Sequence, residues 1–186
     1  AYSNGDILGT GISVKYSYYP RLDGTTNNEK AASGDSANDS AESINVGIPL
    51  AGLPVIGSSP IGGTKITLGY ENSDSLVTDA QPKEGGTVAV VIPIDRLKIG
   101  YQKKGYQPVG TGTGEGQGTF YKDDIVGVAY AISEELALSY NRITSDKHLS
   151  TAGEVEQETK AINLAYTVGG LTLGFQDAKT KNAGYS

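Results

Sequence analysis

The residues in this chain that could do chemistry are few and scattered. There is one histidine and no cysteine. With no thiol there is no thiolate nucleophile, no thiolate metal site and no disulfide framework. His148 stands near Ser145, Asp146 and Ser150. A hydrolase needs a nucleophile, a base and an orienting group held together, and this spacing matches no nucleophile motif. His148 therefore reads as a solvated loop residue. The run Gly110-Thr111-Gly112-Thr113-Gly114-Glu115-Gly116-Gln117-Gly118 looks like a phosphate loop only superficially. Neither a Gly-Lys-Ser/Thr nor a helical pattern follows it, so it reads as an outer loop. No catalytic residue and no metal ligand is assigned, and no enzymatic activity is expected.

Charge is more informative than nucleophiles. Carboxylates crowd the segments between hydrophobic runs: Asp23, Glu29, Asp35, Asp39 and Glu42, then Asp74, Asp79 and Glu84, then Glu154, Glu156 and Glu158. Hard cations such as Ca2+ take carboxylate oxygens, so a loop-bound divalent ion is one reading. No EF-hand spacing is present, and a solvated acidic surface is the preferred one; no cofactor is expected. The cations Lys15, Lys65, Arg96 and Lys98 instead alternate with aliphatic residues.

That alternation defines the elements. A pattern of aliphatic, any, aliphatic, any, aromatic recurs as Ile66-Thr67-Leu68-Gly69-Tyr70, Leu97-Lys98-Ile99-Gly100-Tyr101, Val126-Gly127-Val128-Ala129-Tyr130 and Leu136-Ala137-Leu138-Ser139-Tyr140. It returns as Ile162-Asn163-Leu164-Ala165-Tyr166 and Leu171-Thr172-Leu173-Gly174-Phe175, and Ile12, Val14, Tyr16 and Tyr18 continue it near the start. A period of two means a strand with one apolar face. The other face carries Ser13, Lys15, Ser17, Lys65, Thr67, Glu71, Arg96, Lys98 and Gln102. It continues through Ser139, Asn141, Asn163, Thr167, Thr172 and Gln176.

Composition narrows the class. The chain has 186 residues, about one domain in length, with 26 glycines, 12 tyrosines, 2 phenylalanines and no Trp or Met. Little bulky material is left for a sandwich core. Mean hydropathy is −0.29, and no apolar run approaches the ~20 residues of a membrane helix. A membrane β-barrel remains open, because only alternate residues of its strands meet lipid. A net charge of −6 and a pI of about 4.8 leave no basic stripe for phosphate backbones, so no nucleic-acid partner is expected.

Nine strands are predicted, near 7–19, 43–50, 64–73, 86–93, 95–104, 119–132, 134–143, 158–168 and 170–178. Tight connections (Pro93-Ile94-Asp95, Ile132-Ser133-Glu134-Glu135, Val168-Gly169-Gly170) alternate with long polar ones at 20–42, 74–85, 105–118 and 144–157. Outer-membrane barrels have short periplasmic turns and long outer loops. With the short turns periplasmic, Tyr18, Tyr70, Tyr101, Tyr140 and Phe175 lie near the outer ends of their strands. Tyr130 and Tyr166 lie near the periplasmic ends. Two aromatic girdles result, where amphipathic rings prefer to sit. The segment Ala51 to Gly63 should be a short turn and is not. The expected pore-lining residues are Lys15, Lys65, Glu71, Arg96, Lys98, Gln102, Asn141 and Asn163, the cations setting ion preference.

These strands, the Val168-Gly169-Gly170-Leu171 turn and segments such as Ile162-Asn163-Leu164-Ala165-Tyr166 resemble the Gram-negative general porins, most closely the alphaproteobacterial type. The resemblance implies a 16-stranded antiparallel transmembrane β-barrel, a homotrimer in outer-membrane lipid and lipopolysaccharide, and passive diffusion of small hydrophilic solutes. It also implies an inward-folded acidic loop facing a basic wall. Nine strands are too few and odd in number, and no terminal aromatic strand is present. Residues 1–186 are therefore expected to be one segment of a longer barrel. Strands Ile44–Leu50 and Val88–Ile92 lack girdle aromatics, which hints at a subunit interface. Two alternatives share the pattern: a surface-exposed structural or adhesive barrel acting through its acidic loops, and a soluble extracellular β-domain with the apolar face as core.

Overall fold

A computed structural model describes residues 1–19, 38–52, 59, 61–75, 82–108, 119–149 and 153–185. Ten strands are present: β1 (Tyr2–Asn4), β2 (Ser13–Tyr19), β3 (Asn38–Pro49), β4 (Lys65–Ser75), β5 (Lys83–Ile94), β6 (Leu97–Gln107), β7 (Phe120–Ala131), β8 (Leu136–Leu149), β9 (Gly153–Val168) and β10 (Leu171–Lys181). They form one sheet in sequence order, each strand antiparallel to the next. The protein is all-β, an antiparallel meander of barrel type. Among the described residues β1 and β10 are its edges, and the sheet is not closed.

Register follows the hydrophobic period. Ile66 pairs with Ile48 and Val90, and Leu68 with Val46 and Val88. A one-residue slip would move every apolar side chain to the other face, so the alternation and the pairing specify each other. Turn chemistry pins one hairpin: Gly169 and Gly170 both have positive φ, +55° and +83°. Two such residues make the mirror-image turn whose twist matches the flanking strands.

One face is mainly apolar and the other mainly polar: the expected girdle residues and the aliphatics of the repeated strand pattern lie on the apolar side, while Val91, Ile125 and Ile143 fall on the polar side. The burial pattern is inverted relative to a water-soluble domain. No hydrophobic residue among those described is buried, whereas Ser17, Ser73 and Ser145 are. Leu68, Val88, Val126, Leu138, Ile162 and Leu173 are all more than 40% exposed.

The apolar band runs obliquely to the hydrogen-bonded rows. The row through Tyr70 passes Gly86, Gly105, Lys122 and Asp146 and reaches β9 at Glu156. The edge of the band in β9 is instead Ile162, opposite Tyr140. The band thus slips by six residues, from 156 to 162, over the five strand steps from β4 to β9. At ~3.3 Å per residue and ~4.8 Å per strand that is a slope of about 40°. A level band therefore requires strands tilted by about 40°, within the usual barrel range.

Some sequence expectations change. Among the described residues there are ten strands, not nine, because three-residue β1 is too short to show alternation. Residues 7–9 form a 3-10 turn, so β2 begins at Ser13. Residues expected in loops, 38–42, 144–149 and 153–157, belong to β3, β8 and β9. There both faces are polar, and a strand paired through charges and hydroxyls has no hydrophobic period to detect. The long segment before β4 ends with Leu50 N–H donating to Thr64 O (2.8 Å), which brings its two ends together beside the sheet.

Candidate functional site

The polar face gathers most of the expected lining. Lys15, Lys65, Glu71, Lys98, Gln102, Asn141 and Asn163 all occupy it, paired across strands with Asn45, Val91, Gly85, Ala129, Ala89, Gly127 and Ser139. Arg96 is separate. It sits in the Asp95–Arg96 turn, and its Nη1 donates to Ile132 O (3.2 Å), tying two neighbouring hairpin turns together. Glu135 lies in the turn before β8, with its Oε2 accepting from Ser133 Oγ at 3.0 Å.

Four charged residues on this face fall outside the expected set: Lys83, Lys104, Asp123 and Lys147. Lys83 Nζ is 3.4 Å from Glu71 Oε1, and Lys104 Nζ is 2.9 Å from Asp123 Oδ2. All four lie in the polar strand extensions, where parity counted from the nearest aliphatic run would have found them. On this face the described side chains are Lys15, Lys65, Lys83, Lys98, Lys104 and Lys147 against Glu71 and Asp123, six positive and two negative. The described polar face is therefore basic within an acidic chain.

The face is concave between β2 and β6. A groove of about 580 Å3 opens there, lined among others by Lys15, Asn45, Glu71, Thr87 and Lys104. Glycine makes the room. A Cβ on Gly69 would stand 2.8 Å from Thr87 Cγ2, and one on Gly127 2.8 Å from Asn141 Oδ1. Neighbouring polar side chains lie across the bare backbone, where Gln102 Nε2 donates to Thr87 Oγ1 (2.9 Å). Residues 182–185 fold back on the same side of the sheet. Tyr185 Oη is 2.6 Å from Ser145 Oγ, its ring centroid is 5.7 Å from that of Tyr121, and Gly184 N–H donates to Gln157 Oε1 (2.8 Å). Ser145 Oγ also donates to Asp123.

The opposite face carries the expected girdle aromatics. Tyr18, Tyr70, Tyr101, Tyr140 and Phe175 lie toward the long connections, and Tyr130 and Tyr166 toward the tight turns. Three tyrosines donate to a carboxylate one pair further along the neighbouring strand: Tyr16 to Glu42 (3.4 Å), Tyr70 to Glu84 (2.9 Å) and Tyr101 to Asp124 (2.5 Å). Beyond them the face turns charged, with Lys103 Nζ 3.4 Å from Asp124 Oδ2.

His148 is in β8, not in a loop. Its Nε2 is 3.1 Å from Glu154 Oε1 and its ring packs on Phe120. Ser145 lies on the other face of the strand, so the two never form a nucleophile–base pair. The acidic residues divide similarly. Glu42, Glu84, Glu154, Glu156 and Glu158 are on strands, while Asp23, Glu29, Asp35 and Asp79 lie outside the described residues, as does the segment 110–118. Among the described residues no three carboxylate or imidazole groups converge as a metal site. Comparison with family models, with curated proteins and with solved structures gives no match.

Proposed function

We propose that this chain forms wall of a water-filled β-barrel pore in a Gram-negative outer membrane, passing small hydrophilic solutes and ions by passive diffusion. The observation that carries the reading is the exposed apolar band on a sheet with no buried hydrophobic residue among those described. Burying a Val, Leu, Ile or Phe contributes about 1.5–3 kcal/mol, and a domain's whole stability is about 5–15 kcal/mol. A single sheet that leaves this surface in water forgoes what holds a soluble domain together. Lipid around the band supplies the missing apolar environment. The strand tilt of about 40° that a level band requires falls in the membrane-barrel range, and the tyrosines at the two ends of the band suit aromatic belts at headgroup level. The tight turns then face the periplasm.

A soluble sandwich fits less well, since among the described residues the ten strands form one sheet and no second sheet covers the band. Assembly as a homotrimer is part of the proposal: β3 and β5 carry no aromatic, their apolar stretches being Ile44, Val46 and Ile48, and Val88, Val90 and Ile92, beside the sole aromatic Tyr70 of β4. Such a surface suits contact with a protomer.

The test is conductance of the intact protein in a planar bilayer under a salt gradient. Stable steps in groups of three are expected, with a reversal potential displaced toward anions because the described wall carries six positive and two negative side chains. Replacing Lys15, Lys65 and Lys98 by Gln should shift that potential toward cations. Protein that inserts fully yet never conducts would sink the pore reading.

A further inference from the structure

We infer that Arg142, Lys160 and Lys179, with Lys181 beside them, form a seat for the phosphorylated headgroup of a membrane lipid, an inference that rests on the membrane reading above. Arg142 is directly opposite Lys160, and Lys160 directly opposite Lys179, in one hydrogen-bonded row across β8, β9 and β10. Like charges placed so are mutually destabilising. One carboxylate serves the row: Glu158 lies 2.6 Å from Arg142 Nε and 2.9 Å from Lys160 Nζ. Lys179 and Lys181 make no ion pair among the described residues, and both are exposed. Four cations against Glu158 and neighbouring Asp177 leave a local excess of positive charge in a chain of net charge −6.

Position supplies the partner. The row stands two residues beyond Tyr140 and Ile162, which pair across β8 and β9 at the edge of the apolar band, and on β10 Lys179 stands four residues beyond Phe175. It is on the lipid-facing side, at the depth where headgroup phosphates meet an aromatic belt. Elsewhere along this edge the charge is different: Tyr16 and Tyr70 meet Glu42 and Glu84, and Lys103 is matched by Asp124. The cation row is therefore a local feature over β8–β10. A phosphate oxygen held between Lys160 and Lys179 would relieve the repulsion that Glu158 relieves on the Arg142 side. The source to which we commit is lipid on the long-connection side of the membrane, whose acyl chains would run down over Ile162, Leu164 and Phe175.

The experiment titrates the intact, detergent-solubilised protein with bisphosphorylated lipid A, with the same lipid dephosphorylated, and with inorganic phosphate, reading occupancy by native mass spectrometry. The double change Lys160→Gln with Lys179→Gln should weaken lipid A binding about thirtyfold, at roughly 1 kcal/mol for each of the two cations near the surface. Glu158→Gln should tighten it several-fold, because it releases Arg142 and Lys160. Bilayer conductance, which depends on the opposite face, should stay unchanged in both and so reports correct folding. Equal binding of the dephosphorylated lipid, or unchanged affinity in folded variants of both kinds, overturns the seat. Full displacement of the lipid by an equal concentration of inorganic phosphate makes it a free-anion site and overturns the lipid assignment. A wild-type protein that conducts but shows no phosphate preference removes this inference alone, whereas one that never enters a bilayer removes the pore reading with it.

Discussion

Tyr101 Oη lies 2.5 Å from Asp124 Oδ1, and the same geometry recurs where Tyr70 meets Glu84 and, more loosely, where Tyr16 meets Glu42. In each case the ring lies against the apolar band and the hydroxyl reaches one pair outward to a carboxylate on the adjacent strand. The side chain is used as an amphipath, with its body in the apolar layer and its tip in the polar one. The two contributions can be separated. Tyr101→Phe keeps the ring and loses the bond, so the midpoint of urea unfolding from lipid vesicles should fall slightly. Tyr101→Ala loses both, and the fall should be clearly larger. Equal effects from the two substitutions would mean that the ring contributes nothing at this depth, and the girdle interpretation of this row would be wrong.

At the scale of the strand, neighbours one residue apart should behave oppositely. Leu68 points to the exposed apolar face between Val46 and Val88, while Thr67 points to the polar face between Gly47 and Ala89. Arginine in place of Leu68 should destabilise the folded protein in lipid by about 2–4 kcal/mol, the cost of a cation near the middle of the bilayer. Arginine in place of Thr67 should leave unfolding nearly unchanged and alter only ion preference. The check is a pair of denaturant titrations in vesicles with conductance alongside; equal destabilisation would argue for a face buried in protein on both sides. This two-facedness is also what made the fold legible. Wherever aliphatics alternate, as in Ile66–Tyr70 or Leu97–Tyr101, strand, face and register follow from parity alone, and most expected wall residues fall on one side. The reading lost its footing where hydrophobicity ended. The outer parts of β3, β8 and β9 pair through residues such as Thr159 and Thr180, whose hydroxyls are 2.9 Å apart, and such stretches look like loops. Arg96 went astray for a related reason: parity extended through a two-residue turn assigns a face to a side chain that has left the sheet.

For the molecule as a whole, the slope of the apolar band would tie sequence to orientation in the membrane proposed above. Lipid imposes a level apolar layer, and the register imposes a slip of six residues over five strand steps between β4 and β9. Both conditions hold only if the strands lean from the membrane normal by about 40°. A lean of this size is also what lets a staggered antiparallel sheet curl into a cylinder. In the proposed pore that curl would put inside the polar face, which carries the groove between β2 and β6 and the bare backbone of Gly69 and Gly127. The prediction is direct: polarised infrared spectra of the reconstituted protein in aligned bilayers should give amide I dichroism for strands about 40° from the normal. Strands lying flat in the plane would place the band against one leaflet only, as in a surface-bound sheet. Full solubility without detergent would instead require that a partner protein cover the band. Either result would break the link between register and membrane on which the pore depends.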